Sequence, residues 1–176
     1  MSLTCRRWVI SAILLLEAGL FFSQLYLALG TSDVVLNRMP EITAVAEYLQ
    51  PFVPALRGYT QQSRFPRVTI VFYTISFLLL PVQILAFTLF NYLAGQLPHA
   101  PRLPIRMALL ALVTLLALLV SLFLLPKDSS MVGSLGPSQS RLGLAIFGVG
   151  QFLFVWLIAG TLIGEAFILL RDRLVR

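Results

Sequence analysis

The sequence predicts an all-α fold: an integral membrane four-helix bundle with a short amphipathic helix in the first extramembrane loop. Three observations lead there. Of 176 residues, 59% are hydrophobic and only 11% charged, with a mean hydropathy of +0.91, whereas a soluble domain carries roughly 25% charged residues. Four apolar runs, 8–29, 68–94, 105–125 and 142–170, are each long enough to cross about 30 Å of hydrocarbon as a helix. The arginines gather at the ends of these runs, not inside them. Helix is the conformation that fits, because an unpaired backbone group in lipid costs several kcal/mol. The alternation of barrel strands is missing.

The first run, WVISAILLLEAGLFFSQLYLAL, follows the Arg6–Arg7 pair. It outlasts the apolar core of a signal peptide, about 7–15 residues, and contains Glu17. A retained span is therefore expected rather than a cleaved leader. The loop 31–67 contains PEITAVAEYLQ (40–50), where Ile42, Val45, Ala46 and Leu49 recur at helical spacing after Pro40. A proline suits a first helical turn, and Pro51 and Pro54 end the segment. This predicts a short helix lying on the membrane or over the bundle.

In the second run, Pro81 is expected to kink the helix and free a carbonyl near Gln83. PHAPRLPIR (98–106) is a stiff turn with three prolines, and KDSSMVGSLGPSQSR (127–141) a polar loop. The fourth run carries GTLIG, whose Gly160 and Gly164 let two helix backbones approach. Gly19 and Ser23 form a weaker copy in the first run. Packing within the bundle is the expected use.

Orientation follows from arginine density. The N-terminus, the 94–104 turn with Arg106, and the tail hold seven basic residues, against six spread over the two longer loops. The positive-inside bias then places both termini in the cytoplasm, although Arg64 and Arg67 pull the other way. The preference for Arg over Lys, twelve to one, suggests a bacterial inner membrane.

The sparse polar residues of the runs repeat in sevens, the interval that left-handed helix packing keeps pointed inward. Glu17 and Gln24 do so in the first, Thr69, Ser76 and Gln83 in the second, Thr114 and Ser121 in the third. Gln151 and Glu165 are fourteen apart in the fourth. Counted from the span ends at 1.5 Å per residue, Glu17, Gln83 and Thr114 share an inner level. Gln24, Ser76, Ser121 and Gln151 share an outer one, and Glu165 lies nearer the cytoplasmic face. Interhelical hydrogen bonds are the expected role of the Gln, Ser and Thr groups. A mid-bilayer carboxylate costs at least ~2.5–3.5 kcal/mol unless it protonates or finds a partner. Glu17 is therefore expected to bond to Gln83 or Gln24 in its neutral form, or to meet a cation from a partner or a transported ligand. Glu165 is expected to reach towards Arg171 and Arg173.

Several classes of function fit poorly. Cys5 is the only cysteine, so no disulfide or CxxC metal site forms within the chain. His99 is the only histidine and lies in a loop, which argues against intramembrane haem. No HExxH, CxxC, GxSxG or P-loop occurs, so neither catalysis nor a cofactor is expected. The arginines do not cluster as a nucleic-acid site would require.

Two expectations remain. In the first, the chain binds another integral membrane protein in the bilayer, as an accessory subunit or an immunity protein against a membrane-targeting toxin, and a homo-oligomer is compatible with this. Its size, four spans, cytoplasmic termini and structured outer loop are similar to the immunity proteins of pore-forming colicins, a likeness of architecture without a shared motif. In the second, Glu17 exchanges protons or cations in a small transporter. A lone Glu in the first of four spans resembles the small multidrug-resistance transporters, but the 31–67 loop is far longer than that family's tight connections.

Overall fold

The computed structural model describes residues 3–32, 36, 38, 40–49, 51, 53, 58, 63–95, 103–123 and 140–174. Every regular element among them is helical. The first span is Leu3–Leu29, a short helix is Pro40–Leu49, and the second span is Pro66–Ala94. The third is Ile105–Phe123 and the fourth Arg141–Leu174. All four spans are long and apolar enough to cross a membrane, so the chain is a multi-pass membrane protein. Several sequence expectations fall outside the described residues: most of the 98–106 turn with His99, the 127–139 part of the polar loop, Pro54, and the end of the third run at 124–125.

The second and fourth spans run parallel and form the core of the bundle. Glycines set their separation. A Cβ added to Gly160 would sit 2.9 Å from Phe87 Cβ, and one on Gly164 would sit 2.7 Å from Asn91 Cβ. Lipid tails are as apolar as leucine, so helices associate in a bilayer through close packing of this kind. GTLIG therefore packs inside the bundle, while Gly19 faces open space. Phe77 and Phe152 pack edge to face with centroids 5.1 Å apart, and Phe87 meets Trp156 at the same distance. Such aromatic pairs contribute ~0.5–1.5 kcal/mol beyond their buried area.

Two local features shape the fourth span. Ser140 caps its start, its Oγ accepting from the Gly143 N–H at 2.9 Å. Leu144–Val149 then forms a π-helical turn, a rare widening of the helix, where Gly148 lies against the Phe72 ring.

The first span runs antiparallel to both core helices. At its C-terminal end Arg141 donates from Nη1 to the Ala28 carbonyl at 3.2 Å and from Nη2 to the Thr31 carbonyl. Its guanidinium lies over the Phe65 ring, 4.9 Å from the centroid. The last carbonyls of a helix have no intrahelical donor, so one side chain fastens the end of the first span to the starts of the second and fourth. In the sequence Arg141 registered only as a loop charge.

The short helix packs on the second span. Leu49 is half-buried and Val53, just beyond it, is buried. Val45, expected on the apolar face, is exposed, and the side chains of Ile42 and Ala46 lie outside those described. The third span is different in kind. Its principal neighbour is the fourth span, and only 6% of its apolar window is buried, against 44% for the second.

Candidate functional site

The first span turns one face inward. Ile13, Glu17, Gln24, Ala28 and Thr31 are buried, at the spacing of a single helix side. Gln24 Nε2 donates to Gln83 Oε1 at 3.3 Å, with both side chains fully buried. Gln24 Oε1 and Gln83 Nε2 find no further partner among the described residues. The sequence count put these two amides at different levels. They meet because spans of 27 and 29 residues pack with an offset, so equal distances from helix ends are not equal depths.

Glu17 is 4% exposed, and neither carboxyl oxygen has a hydrogen-bond partner among the described residues. The expected bonds to Gln83 or Gln24 are not formed. Seven residues of helix amount to about 10.5 Å of rise, too far for the Glu17 side chain to reach Gln24. Gln83 turns its Oε1 to Gln24, and its Nε2 makes no bond to Glu17. A buried carboxyl is thus held in the interior with no donor bonded to it among the described residues.

Gln151 and Ser121 are brought together, Gln151 Nε2 donating to Ser121 Oγ at 3.3 Å across the fourth and third spans. Beside them a cleft of about 360 Å³ opens between those spans, lined by Leu118, Phe147 and Phe154 among others. Ser76 is fully buried, but its hydroxyl has no partner among the described residues; the amide of Gln24 goes to Gln83 instead. Thr69 joins no seam and instead bonds to Ser63 at 2.7 Å, at the start of the second span.

Two expectations are corrected. Thr114 is exposed, and its hydroxyl donates to the Leu110 carbonyl of its own helix at 2.9 Å. The third span meets the bundle at Leu122 and, through Ser121, at Gln151, but one heptad earlier the Thr114 side chain stands clear of it. Glu165 does not pair with Arg171. That guanidinium donates from Nη2 and Nε to Asp172 Oδ1 at 2.7 and 3.2 Å. Six residues on, Arg171 lies well round the helix from Glu165, outside the i+3 and i+4 positions where side chains meet.

The second span carries a further polar row. Thr74, Pro81 and Thr88 repeat in sevens just as Thr69, Ser76 and Gln83 do. Thr74 and Thr88 are buried, and their hydroxyls are unpartnered among the described residues. The backbone of Thr88 lies against Gly160 and Gly164, so Thr88 marks the contact with the fourth span, while Pro81 of the same row is exposed.

Pro81 lies within the continuous second span and forms part of a groove wall. Two adjoining grooves, of about 650 and 600 Å³, run between the second and fourth spans and share Leu85, Thr88 and Phe167. No protein-family model, curated protein or solved structure matches this chain.

Proposed function

We propose that this protein acts by binding another integral membrane protein within the bilayer, as a non-catalytic accessory subunit or as an immunity protein against a pore-forming or membrane-targeting toxin. The observation that carries this reading is the third span. It is an 18-residue apolar window with 6% of its residues buried, and its one hydroxyl on the open side is turned back onto its own backbone. Leu109, Val113, Leu116 and Val120 are among its exposed side chains. In lipid a helix surface gains by close packing against another helix, and this one adds little to its own bundle. The arginine distribution supports both termini in the cytoplasm, and the excess of Arg over Lys supports a bacterial inner membrane.

A photo-crosslinking residue at Val113, introduced in the native membrane, tests the proposal. The expected product is one integral membrane protein captured in stoichiometric yield, with none from the same residue placed at buried Phe152. Capture of lipid alone at Val113 defeats it.

The unpartnered burial of Glu17 supports a second reading, in which this carboxyl exchanges protons or cations. Glu17→Gln keeps the shape of the side chain and removes the titrating proton. The binding reading expects capture at Val113 to survive this change. The transport reading expects cation-coupled flux in proteoliposomes to be abolished by it.

A further inference from the structure

We propose that the groove between the second and fourth spans is a binding site for an anionic phospholipid of the leaflet at the arginine-bearing end of the bundle. The groove has three properties that select this ligand. The first is depth. Its wall on the fourth span starts at Ile163 and ends at Leu174, on the arginine-bearing side of Trp156, the middle of the apolar run 142–170. On the second span it runs from Phe77, about one turn beyond Pro81 at the middle of the run 68–94, to Tyr92 at its mouth. From Pro81 to Tyr92 is eleven residues, about 16 Å of helix, so the groove covers the arginine-bearing half of the roughly 30 Å hydrocarbon layer and ends about one turn past its middle.

The second property is closure. Towards the bilayer centre the groove runs up against Leu49 and Val53, which follow from the short helix, with Phe77 and Leu80 beside them. A transmembrane helix lying along the groove would meet these side chains halfway across. Acyl chains confined to one leaflet would end there.

The third property is polarity at one end only. The deep section is apolar apart from Thr88, whereas the mouth carries Tyr92 and Arg171. Arg171 is partly exposed and donates from two of its nitrogens to Asp172. A guanidinium has five N–H donors, so that contact does not exhaust it. Arg173, in the same turn, is exposed, and residues 171–173 together carry a charge of +1. An apolar channel half a bilayer long, opening on a phenol and a guanidinium, has the chemistry of a phospholipid with its phosphate at Arg171 and its tails against Leu85 and Phe167. A zwitterionic headgroup adds a cation beside Arg173 and is disfavoured.

The test is native mass spectrometry of the full chain in detergent, titrated with phosphatidylglycerol or with phosphatidylcholine of the same acyl composition. Wild type is expected to retain one phosphatidylglycerol in preference. Arg171→Ala should weaken that binding about fivefold, the effect of one basic residue at a charged membrane surface, and weaken phosphatidylcholine less, so that the preference for phosphatidylglycerol narrows. Leu85→Trp, which fills the groove at an exposed position and so spares folding, should weaken both lipids. Arg106→Ala is the control, an exposed arginine at the same end but on the third span, and should change nothing. Equal losses from Arg106→Ala and Arg171→Ala, or no loss from Leu85→Trp, would overturn the proposal. So would a photo-crosslinker at Leu85 that captures a protein instead of a phospholipid in native membranes.

Discussion

The fourth span has two sides, and they are built on different principles. Towards the second span it places Gly160 and Gly164 so close that added Cβ atoms would meet Phe87 and Asn91 at 2.9 and 2.7 Å. Towards the third span it offers a hydrogen bond from Gln151 to Ser121, beside an open cleft. One contact is made of backbone proximity and the other of side-chain reach. The difference teaches that this is a three-helix core with a fourth helix lodged on its outside. A surface held so lightly is what a membrane partner can use without disturbing the rest.

The largest expected effect tests that division directly. Gly164→Val places a branched side chain against Asn91 Cβ and the Thr88 carbonyl, neither of which can withdraw without moving the second span. Overpacking of this kind costs ~1–3 kcal/mol, and more where backbone must shift, so destabilisation of about 3 kcal/mol is expected. Ala117→Val, a similar enlargement on the exposed third span, should stay within ~0.5 kcal/mol. Unfolding titrations in mixed detergent micelles measure both. Equal losses would erase the distinction between core and lodged helix.

A second change sharpens the picture of the core, with the opposite sign. Glu17 is buried with no donor for either oxygen among the described residues. An orphaned buried polar group costs ~1–3 kcal/mol. Glu17→Leu keeps the bulk and removes that cost, so the protein should become more stable by about 2 kcal/mol. A stabilising substitution at this position would mean the carboxyl is retained for something other than the fold. Destabilisation would instead reveal a donor in the core that holds Glu17, and the transport reading would then lose its support.

These two sites also show what could be read from the sequence and what could not. The four spans were legible because burial in hydrocarbon demands long apolar runs whatever their neighbours, and Pro40 with its helical spacing announced the short helix as well. GTLIG was legible because only small residues allow such close approach. Register was not. Gln24 reaches Gln83 and bypasses Ser76, since the offset between two packed helices depends on side-chain fit along both and leaves no trace in either alone. Thr114 shares a heptad with Ser121, but only Ser121 meets the fourth span, because a heptad does not show how far along a helix its neighbour stays in contact. The groove went unseen for the same reason. Tyr92 and Arg171 are 79 positions apart, and only the parallel packing of their helices brings them to one mouth.

The smallest expected effect compares the two sides of the bundle through a single kind of bond. Gln24–Gln83 and Gln151–Ser121 are both 3.3 Å contacts donated by an amide, the first inside the core and the second beside the cleft. Interhelical hydrogen bonds in membranes average about 0.6 kcal/mol in double-mutant cycles. A cycle of Gln24→Leu with Gln83→Leu should yield a coupling near 0.6 kcal/mol. Gln151→Leu with Ser121→Ala should yield less, because the donor can turn to the cleft when its acceptor is removed. Both couplings are expected to be small beside the glycine effect, which places the strength of the bundle in packing and not in its polar pairs. A core coupling several times larger would reverse that order and give the buried glutamines a share in holding the bundle comparable to that of the glycines.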